Sequence, residues 1–369
     1  MAFEILSAEG RDRERWSALI EALPPHLRDL HFLPEYGMIY RDCFGFEPLL
    51  AVYQEGDDFV LQPYVRRPLG QLPFLQGAAD SAVFSDLANP YGFGGPLSNA
   101  ADADSARRLY GSFAASLAEW CDREQIASEF TSLHPVLNEH QLQLTQEELS
   151  PVHEKDIYYI DLKLDEEELW RKLRRGHRAS INLARRNEVR VEKVEPTEDN
   201  LRTLNALYAA SMQRRGAAQR WRFPPDFFTT TIRWLGERGS SLFFGYRGAR
   251  VASAYILIHG YETVYYHFSG TNADDGRIGI DTLMFFEMAS WARSQGYARC
   301  FLGGGVTRRE EDGLRQFKSG FASVCAPLYT YFRIRNRSVY DDLCSRKREF
   351  EIATTGQESA STFLPQYRR

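Results

Sequence analysis

The stretch SLFFGYRGARVASAYILIHGYETVYYHFS (241–269) reads as three consecutive strands. Residues 241–247, 250–259 and 262–269 are dense in β-branched and aromatic side chains, and Gly248-Ala249 forms a hairpin turn between the first two. Upstream, Asp165-Glu166-Glu167-Glu168 opens a helix with a capping-box-like start that runs to about Asn187, weakened in its middle by Gly176. Residues 188–194 alternate as a strand, and helices follow near 197–215 and 224–238, the second announced by Pro224-Pro225. Downstream come a helix over 279–295, a strand over 298–302, a short helix over 312–320 and a strand over 325–335.

The first half carries a fainter copy. A helix near 11–22 precedes strands at 49–53 and 59–66, joined by the hairpin signal Glu55-Gly56-Asp57, and a helix at 103–124 leads into a strand at 126–132. Residues 135–155 are polar and irregular, which places a boundary near 150: one unit over 1–150, a second over 151–353, and a tail over 354–369 that is frayed until Phe363-Leu364-Pro365. The order β-α-α-β-β-β-α-β-α-β in the second half is that of the GNAT acetyltransferase fold. The expected class is therefore α/β with mixed sheets, as a tandem pair of GNAT-like domains.

Bulk properties are those of an ordinary globular protein. A chain of 369 residues implies about two domains of ~150 residues, each able to bury a core. With 43% hydrophobic and 26% charged residues it is neither disordered nor membrane-like, and its net charge of −5 excludes a globally basic coat. Cys43, Cys121, Cys300, Cys325 and Cys344 are scattered singly, so reduced thiols are expected rather than disulfides or zinc. An N-terminus without an apolar signal core, and the lack of any 18-residue apolar run, predict a cytoplasmic protein with no stable membrane insertion. No Walker A loop, HExxH or GxSxG occurs, leaving ATP, zinc and serine-hydrolase chemistry unsupported, and no cofactor or metal is expected.

Three constellations carry chemistry. Residues 171–190 (RKLRRGHRASINLARRNEVR) hold eight Lys/Arg against one acid, Glu188. A solvated helix face usually mixes signs, so this imbalance predicts an anionic partner, with Arg174, Arg178 and Arg185 among the contacts; an inconsequential exposed face is the alternative. The glycine-rich Asn89–Pro96 loop allows close backbone approach to a ligand, with Tyr91 and Phe93 able to stack on a ring, or else is a turn between strands. Leu302-Gly303-Gly304-Gly305 ends a strand before Gly313–Lys318, the region beside the splayed strands where a GNAT acyl donor sits. Gly303 and Gly304 are donor-lining candidates there. Lys318 is placed to oppose a developing oxyanion, against the alternative of a solvated lysine. One expected feature is missing. Acyl-CoA enzymes of this fold carry Arg/Gln-x-x-Gly-x-Gly/Ala before the helix that receives the pyrophosphate, whereas Asp275–Ile280 has Gly276 where Arg or Gln belongs.

The motifs PYGFGGP (90–96), SEFTSLHPVLN (128–138), LRRGHRASINLARR (173–186), Tyr208…Met212…Trp221-Arg222-Phe223, YYHFSGT (265–271), FLGGG (301–305) and LRQFKSGF (314–321) together resemble the Fem family across almost the whole chain. Those proteins are aminoacyl-tRNA-dependent peptidyltransferases built from tandem GNAT-like domains. The resemblance implies that Phe317 and Lys318 meet the aminoacyl-adenosine end of a charged tRNA, and it adds His267 to the substrate-binding candidates. The family's acidic proton acceptor has no counterpart in Gly95-Pro96-Leu97-Ser98-Asn99, so Asp86 and Glu129 stand as substitutes. The family's helical-hairpin arm is absent, since no heptad run interrupts 197–238.

The expected activity is transfer of an aminoacyl group from aminoacyl-tRNA to an amine, on a peptidoglycan precursor or a small metabolite. Tyr91, Phe93, Arg174, Arg178 and Trp221 are expected to line an acceptor cleft between the domains. An N-acyltransferase using acyl-CoA or acyl carrier protein is the enzymatic alternative, and a non-catalytic RNA- or ligand-binding module the other.

Overall fold

The structure is a computed structural model and describes residues 2–76, 84–218, 221–237, 239–306, 311–321, 324–358 and 364–368. Arg238 of the expected helix 224–238 and Phe363 of the tail lie outside the described residues. The chain divides into two compact units, Met1–Glu154 with Leu328–Arg369, and Lys155–Pro327. Residues 328–353, read from sequence as part of the second unit, therefore group with the first.

The first unit opens with β1 (Ala2–Ser7), α1 (Gly10–Ala22) and α2 (Pro34–Phe44). The hairpin β2 (Glu47–Glu55) and β3 (Asp58–Pro68) closes through Gly56, whose φ of +61° suits glycine. Next come β4 (Ser85–Ala88), the short β5 (Leu97–Ser98), α3 (Ala103–Arg123), β6 (Ile126–Ser132) and α4 (Asn138–Leu149). Helix α3 starts at an Asp102 cap and packs Leu109, Phe113 and Leu117 into the core over β2 and β3. Helix α4 was expected to be irregular chain. Its buried positions include Asn138, Gln141 and Thr145, a polar stripe at helical spacing, so hydrophobic periodicity does not reveal it. The stripe is held by hydrogen bonds instead: Gln141 Nε2 donates to the Gly94 carbonyl at 2.8 Å and Gln141 Oε1 accepts from the His134 amide at 2.7 Å.

The second unit takes up β7 (Val152–Asp161) from Lys155 onward and continues with α5 (Glu166–Lys172), α6 (Arg175–Arg186), β8 (Val189–Val194), α7 (Glu198–Arg214) and α8 (Phe227–Leu235). The hairpins of β9 (Ser240–Arg247), β10 (Arg250–Gly260) and β11 (Thr263–Thr271) follow, then α9 (Ile280–Ser294), β12 (Arg299–Gly304) and α10 (Gly313–Ser319). The single helix expected over 165–187 is two, parted at Leu173 and Arg174, whose backbones are extended. The break is held open from both sides: the Arg174 amide donates to the Gly320 carbonyl at 2.9 Å, and the Arg178 guanidinium covers the last carbonyls of α5.

This unit's sheet runs β7-β12-β11-β10-β9-β8. Strands β11 and β12 are parallel and pair only over Thr263–Tyr265 with Arg299–Phe301. Beyond that point β11 bulges, leaving His267 unmatched between Tyr266 and Phe268 in its register with β10. Strand β12 shifts register against β7 between Phe301 and Gly303. The two strands part at this place and open a notch in the sheet.

The chain ends with β13 (Val324–Ile334) and α11 (Arg337–Thr355). Thr330–Ile334 of β13 pairs antiparallel with β6, and Tyr340 and Leu343 of α11 pack with Leu69, Leu75 and Ala127. The first unit's sheet thus reads β1-β2-β3-β4-β6-β13, with β5 on β3. The tail is anchored at its end rather than frayed: Tyr367 is fully buried and Arg368 is ion-paired with Asp86 at 2.6 Å. Among the described residues no helix is long and apolar enough to cross a membrane.

Candidate active site

Three consecutive glycines at the end of β12 build the notch, each making room for a different neighbour. A Cβ on Gly303, whose φ is +80°, would lie 3.0 Å from Lys318 Nζ. One on Gly304 would lie 2.7 Å from the Asp156 carbonyl oxygen and 3.3 Å from Lys155 Cδ. One on Gly305 would come within 2.9 Å of both Asp312 Cγ and Arg315 Cβ. The triplet is thus the seat on which α10 and the start of β7 are brought together.

Helix α10 is fixed on this seat at several points. Asp312 caps it, accepting from the amides of Leu314 and Arg315 at 2.9 Å each. Arg315 reaches β7, donating to Tyr158 Oη and Asp156 Oδ2 at 3.0 Å each. Phe317 packs on Phe285, Phe321 and the ring of His177, and His177 Nε2 donates to the Phe317 carbonyl at 2.8 Å. Gly320 allows this, because a Cβ there would sit 2.2 Å from the His177 ring. Phe317 is therefore an anchor that orients its neighbour.

That neighbour, Lys318, points inward with 6% of its surface exposed. Its Nζ donates to the Gly304 carbonyl at 3.1 Å and lies 5.3 Å from the centroid of the Tyr266 ring, so it touches both parting strands. Burial pushes its pKa down to about 7; the nearby Lys155 ammonium and Arg215 add to the effect, and Asp312 opposes it. A lysine with that pKa exchanges protons at neutral pH, unlike a solvated lysine.

The remaining candidates separate by their partners. Arg174 is exposed and donates to the Gln316 carbonyl at 3.2 Å and Ser319 Oγ at 3.1 Å, clamping α10 from outside. Arg178 donates to the carbonyls of Arg171 and Leu173 at 2.9 and 2.6 Å, and Arg185 pairs with Glu287 at 3.2 Å while lying over the Trp170 and Phe286 rings. Both make structural contacts inside the unit. The outward face of α6 carries Arg175, Ala179, Asn182 and Arg186 instead. Accordingly, Arg178→Ala is expected to cost about 1–2 kcal/mol of stability through the orphaned carbonyls of α5, measured by denaturant unfolding, whereas Arg175→Ala leaves stability unchanged. Trp221 is half-buried, its carbonyl accepting from Tyr208 Oη at 2.7 Å. His267, at the bulge, is buried against Phe227 and Phe268.

In the first unit, Tyr91 is exposed on the glycine-rich loop while Phe93 is buried between the rings of His31 and His134. The glycines of this loop answer to packing: a Cβ on Gly92 would meet His31 Nε2 at 2.6 Å, and one on Gly95 would meet Gln141 Nε2 at 2.6 Å. The two substitute proton acceptors lie in ion-pair networks. Glu129 accepts from Tyr64 Oη at 2.6 Å, Tyr331 Oη at 2.9 Å and Arg335 Nε at 3.1 Å. Asp86 accepts from Arg67 Nε at 2.7 Å, Arg368 Nε at 2.6 Å and Tyr367 Oη at 3.0 Å. Although burial alone raises a carboxyl pKa, the arginines and hydrogen bonds outweigh it and hold both below the usual range. Carboxylates so engaged are poor proton acceptors, and both Asp86 and Glu129 have their oxygens taken up by arginines and tyrosines. Sequence reading missed Lys155; the signal was the Gly303–Gly305 triplet, whose second glycine makes room for its stem.

Acyl-CoA, the co-substrate this fold commonly uses, would need its diphosphate held at the start of α9. A Cβ on Gly279 would lie 2.3 Å from the Ser180 carbonyl oxygen, so α6 stands against this end of α9. In its first turn, the Asp281 carboxylate accepts from Thr271 Oγ1 at 2.6 Å and Tyr255 Oη at 2.8 Å. With oxygens on these sides, Gly276 where the pattern has a cation and Arg277 displaced from it by one position, the start of α9 fits a diphosphate poorly.

Residues 171–318 match the acetyltransferase (GNAT) domain family. The crystal structure of FemX superposes with a TM-score of 0.67 at 13% identity, covering 92% of this chain and 99% of its own. The C-terminal domain of a putative lysylphosphatidylglycerol synthetase from Agrobacterium fabrum gives 0.53 at 13% identity, covering 95% of this chain and 99% of its own. A tandem GNAT protein from the clavulanic acid biosynthesis pathway gives 0.52 at 10% identity, covering 91% and 99% respectively. No curated protein sequence matches the chain. Residues 171–318, around the β11–β12 notch, thus form an acetyltransferase (GNAT) domain, and over nearly its whole length the chain has the tandem GNAT fold of these structures.

Proposed function

We propose that this protein forms an amide bond by moving an aminoacyl group from a charged tRNA to the amine of a small metabolite or a cell-wall precursor, in the cytoplasm. The observation that carries the reading is Lys318, buried where the strands part and able to change charge at neutral pH; the poor fit of the α9 start to a diphosphate supports it. An aminoacyl ester is already activated, so the amine attacks its carbonyl and the negative charge gathers on the carbonyl oxygen. The ammonium form of Lys318 stabilises that oxygen. Holding both substrates in place supplies much of the rest.

The test is a reaction with a pool of charged tRNAs and cell-extract acceptors. Product is expected to vanish after ribonuclease treatment, and acyl-CoA to neither replace nor inhibit the donor. Product that survives complete RNA digestion and follows added acyl-CoA or acyl carrier protein overturns the proposal in favour of a thioester donor.

A further inference from the structure

The end of β12 holds a second lysine. Lys155 Nζ donates to the Gly305 carbonyl at 3.3 Å, and Lys318 Nζ donates to the preceding carbonyl, that of Gly304, at 3.1 Å. The two ammonium groups thus approach the same strand end from β7 and from α10. Two of the three glycines serve this pair: Gly303 leaves space for the tip of Lys318 and Gly304 for the stem of Lys155. Such construction is more than a solvated surface lysine requires.

We propose that Lys155 is a positioning residue that keeps Lys318 in its neutral amine form before reaction, so that Lys318 takes the proton of the attacking amine. This rests on the function proposed above and assigns the proton acceptor that Asp86 and Glu129 do not supply. The acceptor amine forms the C–N bond with its lone pair, and the ester carbonyl becomes an oxyanion. The nitrogen, now positively charged, gives one proton to Lys318 Nζ. The ammonium so formed stands opposite the oxyanion. When the C–O bond to the ribose breaks, Lys318 returns the proton to the departing oxygen and is neutral again. Atoms and charge balance with no further reactant.

The charged and titratable groups facing Lys318 agree with this cycle. Lys155 from β7 and Arg215 beyond the end of α7 disfavour a third positive charge, Asp312 at the cap of α10 favours it, and Tyr266 from β11 presents its ring. Desolvation is the largest influence and Lys155 the largest from another residue.

The experiment reads the protonation of Lys318 directly. Competitive labelling with a trace amine-reactive reagent, followed peptide by peptide by mass spectrometry across pH 5–10, gives its titration in the intact protein. In Lys155→Met the midpoint is expected to rise by about one pH unit, which lowers the neutral fraction at pH 7 about fivefold. Lys155→Arg, which keeps the charge, holds it in place. Turnover should follow: the acid limb of the pH profile moves upward in Lys155→Met, and activity recovers at pH 9. An unmoved titration midpoint overturns the role of Lys155 whatever the donor proves to be. A moved midpoint with an unmoved rate profile overturns Lys318 as proton acceptor. Labelling is independent of tRNA, so failure of the donor assignment is seen separately.

Discussion

Replacing Lys318 by Met is expected to lower turnover by about two to three orders of magnitude, the usual worth of one hydrogen-bond donor held opposite a developing oxyanion. Met keeps the length of the side chain and suits a site that is 6% exposed, so folding is expected to survive. Acceptor binding should change little, because the interaction is made in the transition state rather than in the ground state. Single-turnover rates and equilibrium binding of the acceptor separate these quantities. Near-normal turnover in this variant would return Lys318 to a packing role beside Tyr266.

The second large effect concerns stability. Glu129→Ala leaves Arg335, itself 6% exposed along its side chain, as a buried guanidinium without its carboxylate. Two tyrosine hydroxyls, Tyr64 and Tyr331, lose an acceptor at the same time. The expected cost is about 3–5 kcal/mol, enough to take a large share of an ordinary domain's stability. Urea unfolding checks it, and an unchanged midpoint would show that the network contributes nothing. The pH dependence has a definite sign. The folded-state pKa of Glu129 is lowered, so its contribution is present above the ordinary glutamate value and lost as pH falls toward the lowered one. Removing Glu129 should therefore flatten the acid side of the stability profile.

How much of this was legible in the sequence depended on what held each element. The β9–β11 hairpins announced themselves because tight turns and β-branched, aromatic runs are local properties, and Gly248 fell where the turn required it. Helix α4 escaped because its buried face is polar and satisfied by Gln141, a partnership that exists only in three dimensions. The basic run 171–190 reads as part of one helix; the chain breaks at Leu173, Arg178 is spent on the carbonyls of α5, and Arg185, though exposed, lies along the unit's own rings and Glu287. Lys318 was found from its place in the fold order, whereas Lys155 looked like any lysine in a polar stretch. Asp86 and Glu129 were chosen for their chemistry alone, and the arginines that occupy them come from as far away as positions 368 and 335.

Those same distant arginines bear on how the protein is made. As the nascent chain leaves the ribosome, residues 1–154 emerge with one edge of β6 lacking the strand that will pair with it. Leu69, Leu75 and Ala127 wait for the cover supplied by Tyr340, Leu343 and Tyr367. At ~5–20 residues per second, the intervening 170 or so residues keep that surface open for about ten to thirty seconds. The second unit, contiguous in sequence, completes itself first, reversing the usual N-to-C order of domain folding. An exposed strand edge held open that long is a template for pairing with another chain, and stalling translation before residue 328 should leave an aggregation-prone N-terminal half beside a finished C-terminal one.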